Sequence, residues 1–226
     1  SNKRLLTIAE EPTSSAEIMN YKSRIDEYKQ YISNQNNLIE STENYDKILE
    51  SVENLLIKVQ QVTIEGGSGA SMDGSRKAYA EEINTYLENL INIANTKDKG
   101  KYLFGGFQTM KESFTVTRDN QNRISGVSYQ GDKGRWKSEI SKKIAIDINI
   151  DGSEAFGDTN IYSKTTGGNQ NIFTTLINIR DGMMTDSVVK FNSELSNIQE
   201  NILNMSKLRS RTGITANRMK SFNEYT

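Results

Sequence analysis

The chain contains neither cysteine nor histidine among its 226 residues. These absences exclude disulfide bonds, thiolate nucleophiles and imidazole bases, together with the commonest zinc ligands. The absence of cysteine and histidine does not exclude catalysis by paired carboxylates or by lysine. Because cysteine is missing, the chain tolerates an oxidising or a reducing compartment equally well.

Apolar residues and net charge are also scarce. Hydrophobic residues make up 35% of the chain, and the formal net charge is −1. A low apolar share is typical of elongated proteins, whose cores are thin. A nearly neutral chain lacks the basic footprint of a nucleic-acid-binding protein. No run of 18 apolar residues occurs, so we expect no membrane span, and we expect no secretory signal peptide.

Proline occurs once, at Pro12, and a long stretch free of proline and glycine follows it. We expect a turn at 9–13, then a helix over residues 14–65 that is capped by Thr13 or Ser14 and is roughly 75 Å long. Apolar residues recur along it in steps of three and four, which predicts a helix packed lengthwise on other helices. This seam consists of Ile18, Tyr21, Ile25, Tyr28, Ile32, Tyr45, Ile48, Val52, Leu55, Val59 and Val62.

The phase of the seam changes at Asn34–Asn37. We interpret this change as a local helix adjustment or a change of neighbour. A second helix is predicted over residues 73–96 and should fold back along the C-terminal half of the first, running out near Asn34–Asn37. Helical periodicity resumes at residue 171, falters at Asp181 and Gly182, and continues from residue 188 to residue 222. We expect this last helix to be comparable in length to the first.

Between the helices the pattern changes to short alternating segments. Strands are predicted at 113–118, 123–130, 135–140 and 143–150, followed by a polar loop at 157–169. Trp136 and the isoleucines of the last strand should form the core of this small antiparallel β unit. The predicted class is α+β, an elongated bundle of long helices with an inserted β domain. We expect residues 1–106 plus 168–226 to form the helical rod and residues 107–167 to form the β domain.

Several clusters could be mistaken for functional sites. Glu10–Glu11 and Glu81–Glu82 are pairs of adjacent carboxylates. Because neighbouring side chains diverge on a helix, a solvated face is favoured over acid–base catalysis. The glycines at 66–71 follow a helix and lack the lysine of a phosphate-binding loop. We assign no catalytic, cofactor-binding or metal-binding residue and expect no enzyme activity.

Two further groups favour structure over ligand binding. Residues Asp147, Asn149, Asp151 and Gly152 partly match a calcium loop but lack its closing glutamate. Among Tyr21, Tyr28 and Tyr31, two lie on the helix seam, so a core or subunit contact is favoured over a stacking platform.

Residues 55–64 (LLIKVQQVTI), the glycine loop, and residues 79–106, which end in YLFGG, resemble the flagellin family. Within it, the Ala94–Thr96 and Tyr102–Gly106 segments are similar to the junction proteins between hook and filament. Further matches are Tyr129–Asp132, Asp151–Phe156 and Leu208–Gly213. They follow the order of the family and extend over nearly the whole chain.

The resemblance implies a structural component of the bacterial flagellum that joins the hook region to the filament. It implies type III export without a cleaved signal, a flagellar export chaperone, and an extracellular location. It also implies a ring of copies that contact a neighbouring hook-associated protein and flagellin. Because the tube-forming ends of the family are not matched, we expect a truncated chain that is monomeric in isolation.

Two alternative functions are open at this stage. The chain could be a minor or short flagellin of the filament itself, which would be found along filaments and not only at the hook end. It could instead be a surface-exposed glycan-binding or adhesive module, with Trp136 and nearby tyrosines as the candidate residues. An exposed Trp136 would keep the second alternative open.

Overall fold

The computed structural model describes residues 12–68, 73–157 and 171–224. Most of the turn predicted at 9–13, the pair Glu10–Glu11, the glycine-loop residues 69–71 and nearly all of the loop predicted at 157–169 lie outside these residues. The elements are α1 (Pro12–Gly67), α2 (Asp73–Ala94), β1 (Lys97–Asp98), β2 (Lys101–Tyr102), β3 (Phe114–Arg118), β4 (Ile124–Tyr129), β5 (Lys137–Ser141), β6 (Ile144–Asp147), α3 (Gly152–Phe156), α4 (Ile172–Met184), α5 (Val188–Asn192) and α6 (Leu195–Glu224).

Helix α1 is the single long helix that the sequence predicts, with 56 residues. At the standard rise it is about 84 Å long. Its interior lacks proline and glycine, the two residues that most weaken a helix, and it ends at Gly67. The Arg76 Nε atom donates a 3.0 Å hydrogen bond to the Gly66 carbonyl, which satisfies one of the free carbonyls of the last turn.

Helix α2 folds back antiparallel along α1, as predicted. Tyr79 lies beside Gly66, and Ile93 lines a groove with Ser51 and Leu55. The helix therefore ends before it reaches Asn34–Asn37, so the prediction that it runs out there was wrong. With only 22 residues, α2 spans about 33 Å, which is too short to reach that point.

The last helix is shorter than predicted. Helix α6 has 30 residues. The predicted helix is interrupted between Asn192 and Leu195, so that its first five residues form the separate helix α5. The buried Glu194 carboxylate at the break accepts hydrogen bonds from Asn178 Nδ2 at 2.8 Å and Asn197 Nδ2 at 2.6 Å. This buried polar contact holds the chain at the turn and ends the continuous helix.

The sequence predicts that the helix falters at Asp181 and Gly182. In the structure α4 instead continues through both residues to Met184. A Cβ atom at Gly182 would lie 3.1 Å from both the Cβ and the backbone nitrogen of Phe191. Glycine therefore serves close packing here and does not interrupt the helix. The following turn is closed by the Ser187 N–H, which donates to the Gly182 carbonyl at 2.8 Å.

The described residues contain three separate two-stranded antiparallel hairpins: β1–β2, which follows α2, and β3–β4 and β5–β6, which form the β unit. The four strands that the sequence predicts correspond to β3–β6, although β6 ends three residues early, at Asp147. The β1–β2 hairpin is not predicted from the sequence, because lysines and a glycine at Lys97–Gly100 are equally typical of a helix end. Lys99 and Gly100 both have positive φ (48° and 81°), as a tight two-residue hairpin turn requires.

One hydrophobic core joins the helices to the β unit. Its centre is a cluster of phenylalanines from different elements: Phe104, Phe114, Phe156 and Phe173, with ring centroids 5.0–5.6 Å apart. A smaller second core lies nearer the N-terminal end of α1, where Leu38, Ile140 and Met219 are buried against one another. The β5–β6 hairpin is therefore held between α1 and α6.

Trp136 is not part of either core. Its side chain is 45% exposed, which contradicts the prediction that it forms the core of the β unit. The isoleucines of the last predicted strand confirm the prediction in part. Ile150 is buried, and Ile146 and Ile148 pack against the second core, but Ile144 is exposed. Phenylalanines supply the core that the sequence assigns to Trp136.

Candidate assembly surface

The N-terminal part of α1 carries an apolar stripe that no other described element covers. We call Ile18, Tyr21, Ile25 and Tyr28 the N-terminal stripe. Each of these side chains is between 49% and 63% exposed. Their spacing of three, four and three residues places them on one face of the helix. Toward the C-terminal end of α1 the same seam is buried, where Tyr45, Val52, Leu55 and Val59 belong to the main core.

Local contacts stabilise this projecting stretch of helix. The Tyr31 hydroxyl donates a 2.7 Å hydrogen bond to Glu27, and Gln30 donates to Asn34 at 2.9 Å. The hydrogen bond to Glu27 raises the pKa of Tyr31 to about 12. Pairs four residues apart each add a few tenths of a kcal/mol to a helix. They support the helix but do not cover the stripe.

The N-terminal stripe ends where α1 meets the β5–β6 hairpin. The Asn34 and Gln35 amide groups each donate a 2.7 Å hydrogen bond to a β5 carbonyl, of Glu139 and Ile140 respectively. Gln35 is only 2% exposed. The phase change at Asn34–Asn37 therefore marks a change of neighbour, as one of the two sequence interpretations predicts.

Arg209 of α6 fastens that helix to α1. Its guanidinium contacts Asp46 at 3.0 Å, Glu50 at 3.3 Å and Glu53 at 2.7 Å, three carboxylates on successive turns of α1. Hydrogen bonds to Glu53 and Asp46 raise the pKa of Arg209. Burial opposes ionisation of Glu53, but hydrogen bonds from Ser206 and Arg209 leave the pKa of Glu53 below its usual value.

A second ionic cluster fastens the β unit to α6. Glu154 accepts hydrogen bonds from Arg135 at 2.6 Å and from Arg211 at 2.5 Å, and Arg135 also contacts the buried Asp151 at 2.8 Å. Burial alone would raise the pKa of Glu154, but the two arginines bring it below its usual value. The sequence analysis did not predict the ionic contacts of Arg135, Arg209 and Arg211, because charge partners so distant in the chain carry no local pattern.

The clusters weighed from sequence have structural roles where the structure describes them. Glu81 and Glu82 are exposed, and Glu82 accepts a hydrogen bond from Tyr86 at 2.7 Å. Asn149 accepts from the Trp136 N–H and donates to the Gly134 carbonyl, both at 2.8 Å. Asp151 caps α3 by accepting from the Glu154 N–H at 3.0 Å. Asn149 and Asp151, two of the residues that partly match a calcium loop, are thus engaged in local structure.

Among the described residues, no group of histidine, cysteine, aspartate and glutamate side chains is placed to hold a metal ion. Within the same part of the chain, no helix is both long and apolar enough to cross a membrane.

The architecture and its uncovered helix face define an elongated helical protein whose prominent surface is suited to packing on another helix. Comparison with solved structures then identifies the fold as that of the flagellar hook-associated proteins. This finding confirms the predicted α+β class and shows that the fold is shared with hook-associated and junction proteins.

Three solved structures illustrate the match. A Vibrio parahaemolyticus protein described as flagellar hook-associated aligns with a TM-score of 0.81 at 17% identity, over 97% of this chain and 93% of its own. The Legionella pneumophila hook-associated protein 3 gives 0.78 at 14% identity, over 92% and 94%. The flagellar junction protein FlgL of the same organism gives 0.73 at 14% identity, over 95% and 96%.

No family model and no curated protein sequence matches the chain. The likeness is therefore one of structure: the arrangement of helices and hairpins is retained where most side chains differ.

Proposed function

We propose that this protein is a structural component of the bacterial flagellum that joins the hook region to the filament. The observation that carries this proposal is the structural match to hook-associated and junction proteins over more than nine-tenths of both chains. The motif resemblance of residues 79–106 supports the same function independently. On this proposal the protein is not an enzyme, and its place is the extracellular flagellum, reached by type III export.

In the assembled junction, the protein forms a ring of copies that contacts a neighbouring hook-associated protein on one side and flagellin on the other. An export chaperone binds it before assembly. The N-terminal stripe packs against a helix of an adjacent copy, since four half-exposed side chains at helical spacing suit such a contact. Burying them would stabilise the contact by roughly 4 kcal/mol.

The division into parts is also a proposal. Residues 1–106 plus 168–226 form the helical rod, and residues 107–167 form the outer β domain. The position of β3–β6 within 107–167 supports this division. The shared phenylalanine core implies that the two parts unfold together.

A deletion strain tests the proposed function. Cells without this protein should assemble hooks but release flagellin into the medium, and expression of the protein from a plasmid should restore filaments. Immunogold labelling of intact flagella should mark the hook end alone. Normal filaments in the deletion strain would contradict the proposal, and labelling along the filament would favour a minor flagellin.

A further inference from the structure

A groove of about 330 Å³ lies between α1, the β1–β2 hairpin and the segment that carries Trp136. It is distinct from the N-terminal stripe, none of whose residues line it. Its walls mix aromatic rings with polar side chains, among them Ser41, Asp98, Lys101, Tyr102 and Trp136. Binding pockets for small ligands combine these features with volumes of this order.

Trp136 is held in one orientation although its ring is exposed. The indole Nε1–H donates a 3.0 Å hydrogen bond to the Gly106 carbonyl. The backbone N–H donates to Asn149 Oδ1 at 2.8 Å, and the carbonyl accepts from the Ile148 N–H at 2.9 Å. Because the polar edge of the indole is satisfied within the protein, the part left to solvent is the apolar ring.

The neighbouring residues buttress this ring. Phe107 packs edge-on against Trp136, with centroids 5.1 Å apart and planes at 84°. The Asp132 carboxylate accepts hydrogen bonds from the Phe107 and Gly134 N–H groups, both at 2.8 Å. A Cβ atom at Gly134 would lie 2.4 Å from the Phe107 ring, so glycine lets the ring sit against the backbone. The result is a rigid aromatic platform.

This exposure has an energetic cost. Full burial of a large apolar side chain stabilises a folded protein, and Trp136 gains only part of that stabilisation. Phe107 beside it is 52% exposed. Two large rings that are fixed in place and half-exposed together are typical of a contact surface.

The charges at the groove select the chemistry of its ligand. Lys99 is paired with Glu40 at 3.2 Å, and Asp98 and Lys101 are direct cross-strand partners of opposite sign. The groove therefore has no field of one sign, which a phosphate or nucleotide would need. The polar walls also disfavour an acyl chain. A sugar fits both features, because its rings present an apolar C–H face while its hydroxyls both donate and accept hydrogen bonds.

We propose that this groove binds a neutral carbohydrate, whose C–H face stacks on Trp136 while its hydroxyl groups hydrogen-bond to Asp98 and Lys101. The inference is independent of the proposed structural function, since the groove and the N-terminal stripe share no residue. It assigns the β unit a surface-recognition function in addition to assembly.

The composition makes the test direct, because Trp136 is the sole tryptophan of the chain. The whole protein should be titrated with glucose, galactose, mannose, N-acetylglucosamine and N-acetylgalactosamine, each followed by tryptophan emission. In parallel, it should be applied to an array of immobilised neutral oligosaccharides. We expect a saturable emission change with at least one sugar and retention of the protein on array positions that present it.

Variants then locate the binding. Trp136→Ala should weaken array binding about tenfold or more, as expected for loss of a stacked ring. Asp98→Ala should weaken array binding several-fold. This variant keeps Trp136, and therefore both the fluorescent reporter and the aromatic platform. Tyr21→Ala, which removes an exposed ring from the N-terminal stripe, is the matched control and should bind as the unaltered protein does.

The proposal fails if none of the five sugars changes the emission and no array position retains the protein. It also fails if Trp136→Ala and Asp98→Ala both bind with unchanged affinity. A change in Trp136 emission on mixing with flagellin, but with no sugar, would show that the platform is a protein contact and would likewise overturn the proposal.

Discussion

Arginine side chains carry much of the long-range fastening in this protein. Arg209 joins α6 to three turns of α1, and Arg135 and Arg211 join the β unit to α6 through Glu154. A guanidinium has five donors in a planar fork, so one side chain can serve several carboxylates at once. Thin elongated bundles have little apolar core per residue. Ionic contacts of this kind therefore supplement the thin apolar contact between the helices.

We predict that Arg209→Ala lowers the free energy of unfolding by roughly 1–2 kcal/mol, because it leaves three carboxylates on α1 without their shared cation. The side chain is 29% exposed, so solvent screening limits the loss. Urea unfolding followed by circular dichroism measures it, and high salt should reduce the difference. Lys207→Ala, on an exposed face of the same helix, should change the free energy by less than roughly 0.5 kcal/mol. Equal losses in both variants would contradict this account.

Two glycines in helices should respond in opposite ways to the same substitution. Gly213 lies inside α6, where a Cβ atom would have no neighbour within 4 Å, whereas a Cβ at Gly182 would press on Phe191 at 3.1 Å. Gly213→Ala should raise the free energy of unfolding by roughly 0.5–1 kcal/mol, because alanine favours the helix. Gly182→Ala should gain nothing or destabilise, since Phe191 must move. Thermal unfolding distinguishes them, and a gain at both positions would refute the packing argument.

At the scale of whole elements, α1 combines two surfaces along one seam. Its C-terminal half is buried in the main core, while the N-terminal stripe remains open beyond the β5–β6 hairpin. Most of the stability of a helix in a protein comes from the packing of its apolar face. The open half is therefore the part of the helix that would gain most from packing in the proposed junction.

We predict that Ile25→Glu abolishes attachment of filaments to hooks in a complemented deletion strain, because a charge in the stripe must be desolvated on packing. The isolated protein should keep its unfolding free energy within roughly 0.5 kcal/mol, since the position is already exposed. Motility and shed flagellin measure the first effect, and urea unfolding measures the second.

Ser23→Glu is the charge-matched control for this test. Residue 23 lies on the opposite face of the same helical stretch, about 180° from the stripe. It should leave motility unaffected. Loss of motility in both variants would show that charge on this helix, and not the stripe itself, is what assembly rejects.

At the scale of the whole molecule, the titrating groups define a wide stable pH range. Hydrogen bonds and arginines hold the pKa values of Glu53, Glu88 and Glu154 below their usual value, against the effect of burial. Burial raises the pKa of Tyr45 to about 12. Histidine, the residue that ordinarily titrates near neutrality, is missing.

We predict that the urea midpoint is constant between about pH 6 and 9 and falls on both sides. A carboxyl whose pKa is lowered by folding stabilises the protein above its ordinary pKa, near 4.5, and this stability is lost as the pH falls through the folded value. A tyrosine whose pKa is raised stabilises below pH 10, and this stability is lost as the pH rises toward 12. Glu154→Gln should lose less stability on acidification than the unaltered protein. A midpoint that changes strongly near pH 7 would contradict this picture.

Sequence pattern determined the elements that depend on local information. The extent of α1, the antiparallel return of α2 and the strands β3–β6 followed from periodicity, from the absence of proline and glycine, and from turn residues. The same pattern identified the seam whose N-terminal part became the stripe. These features are encoded within a few residues of one another, so they can be read without knowledge of the tertiary fold.

Tertiary structure alone decided what the seam and the rings contact. Nothing in the chain near Trp136 indicates that its ring is exposed, because Phe114, Phe156 and Phe173 come from distant segments to fill the core instead. The break between α5 and α6 likewise depends on Asn178, which reaches Glu194 from another helix. Periodicity indicates that a helix face is apolar, but only the packing of remote elements determines whether that face is covered. The proposed functions lie where such surfaces remain exposed, on the N-terminal stripe of α1 and at the ring of Trp136.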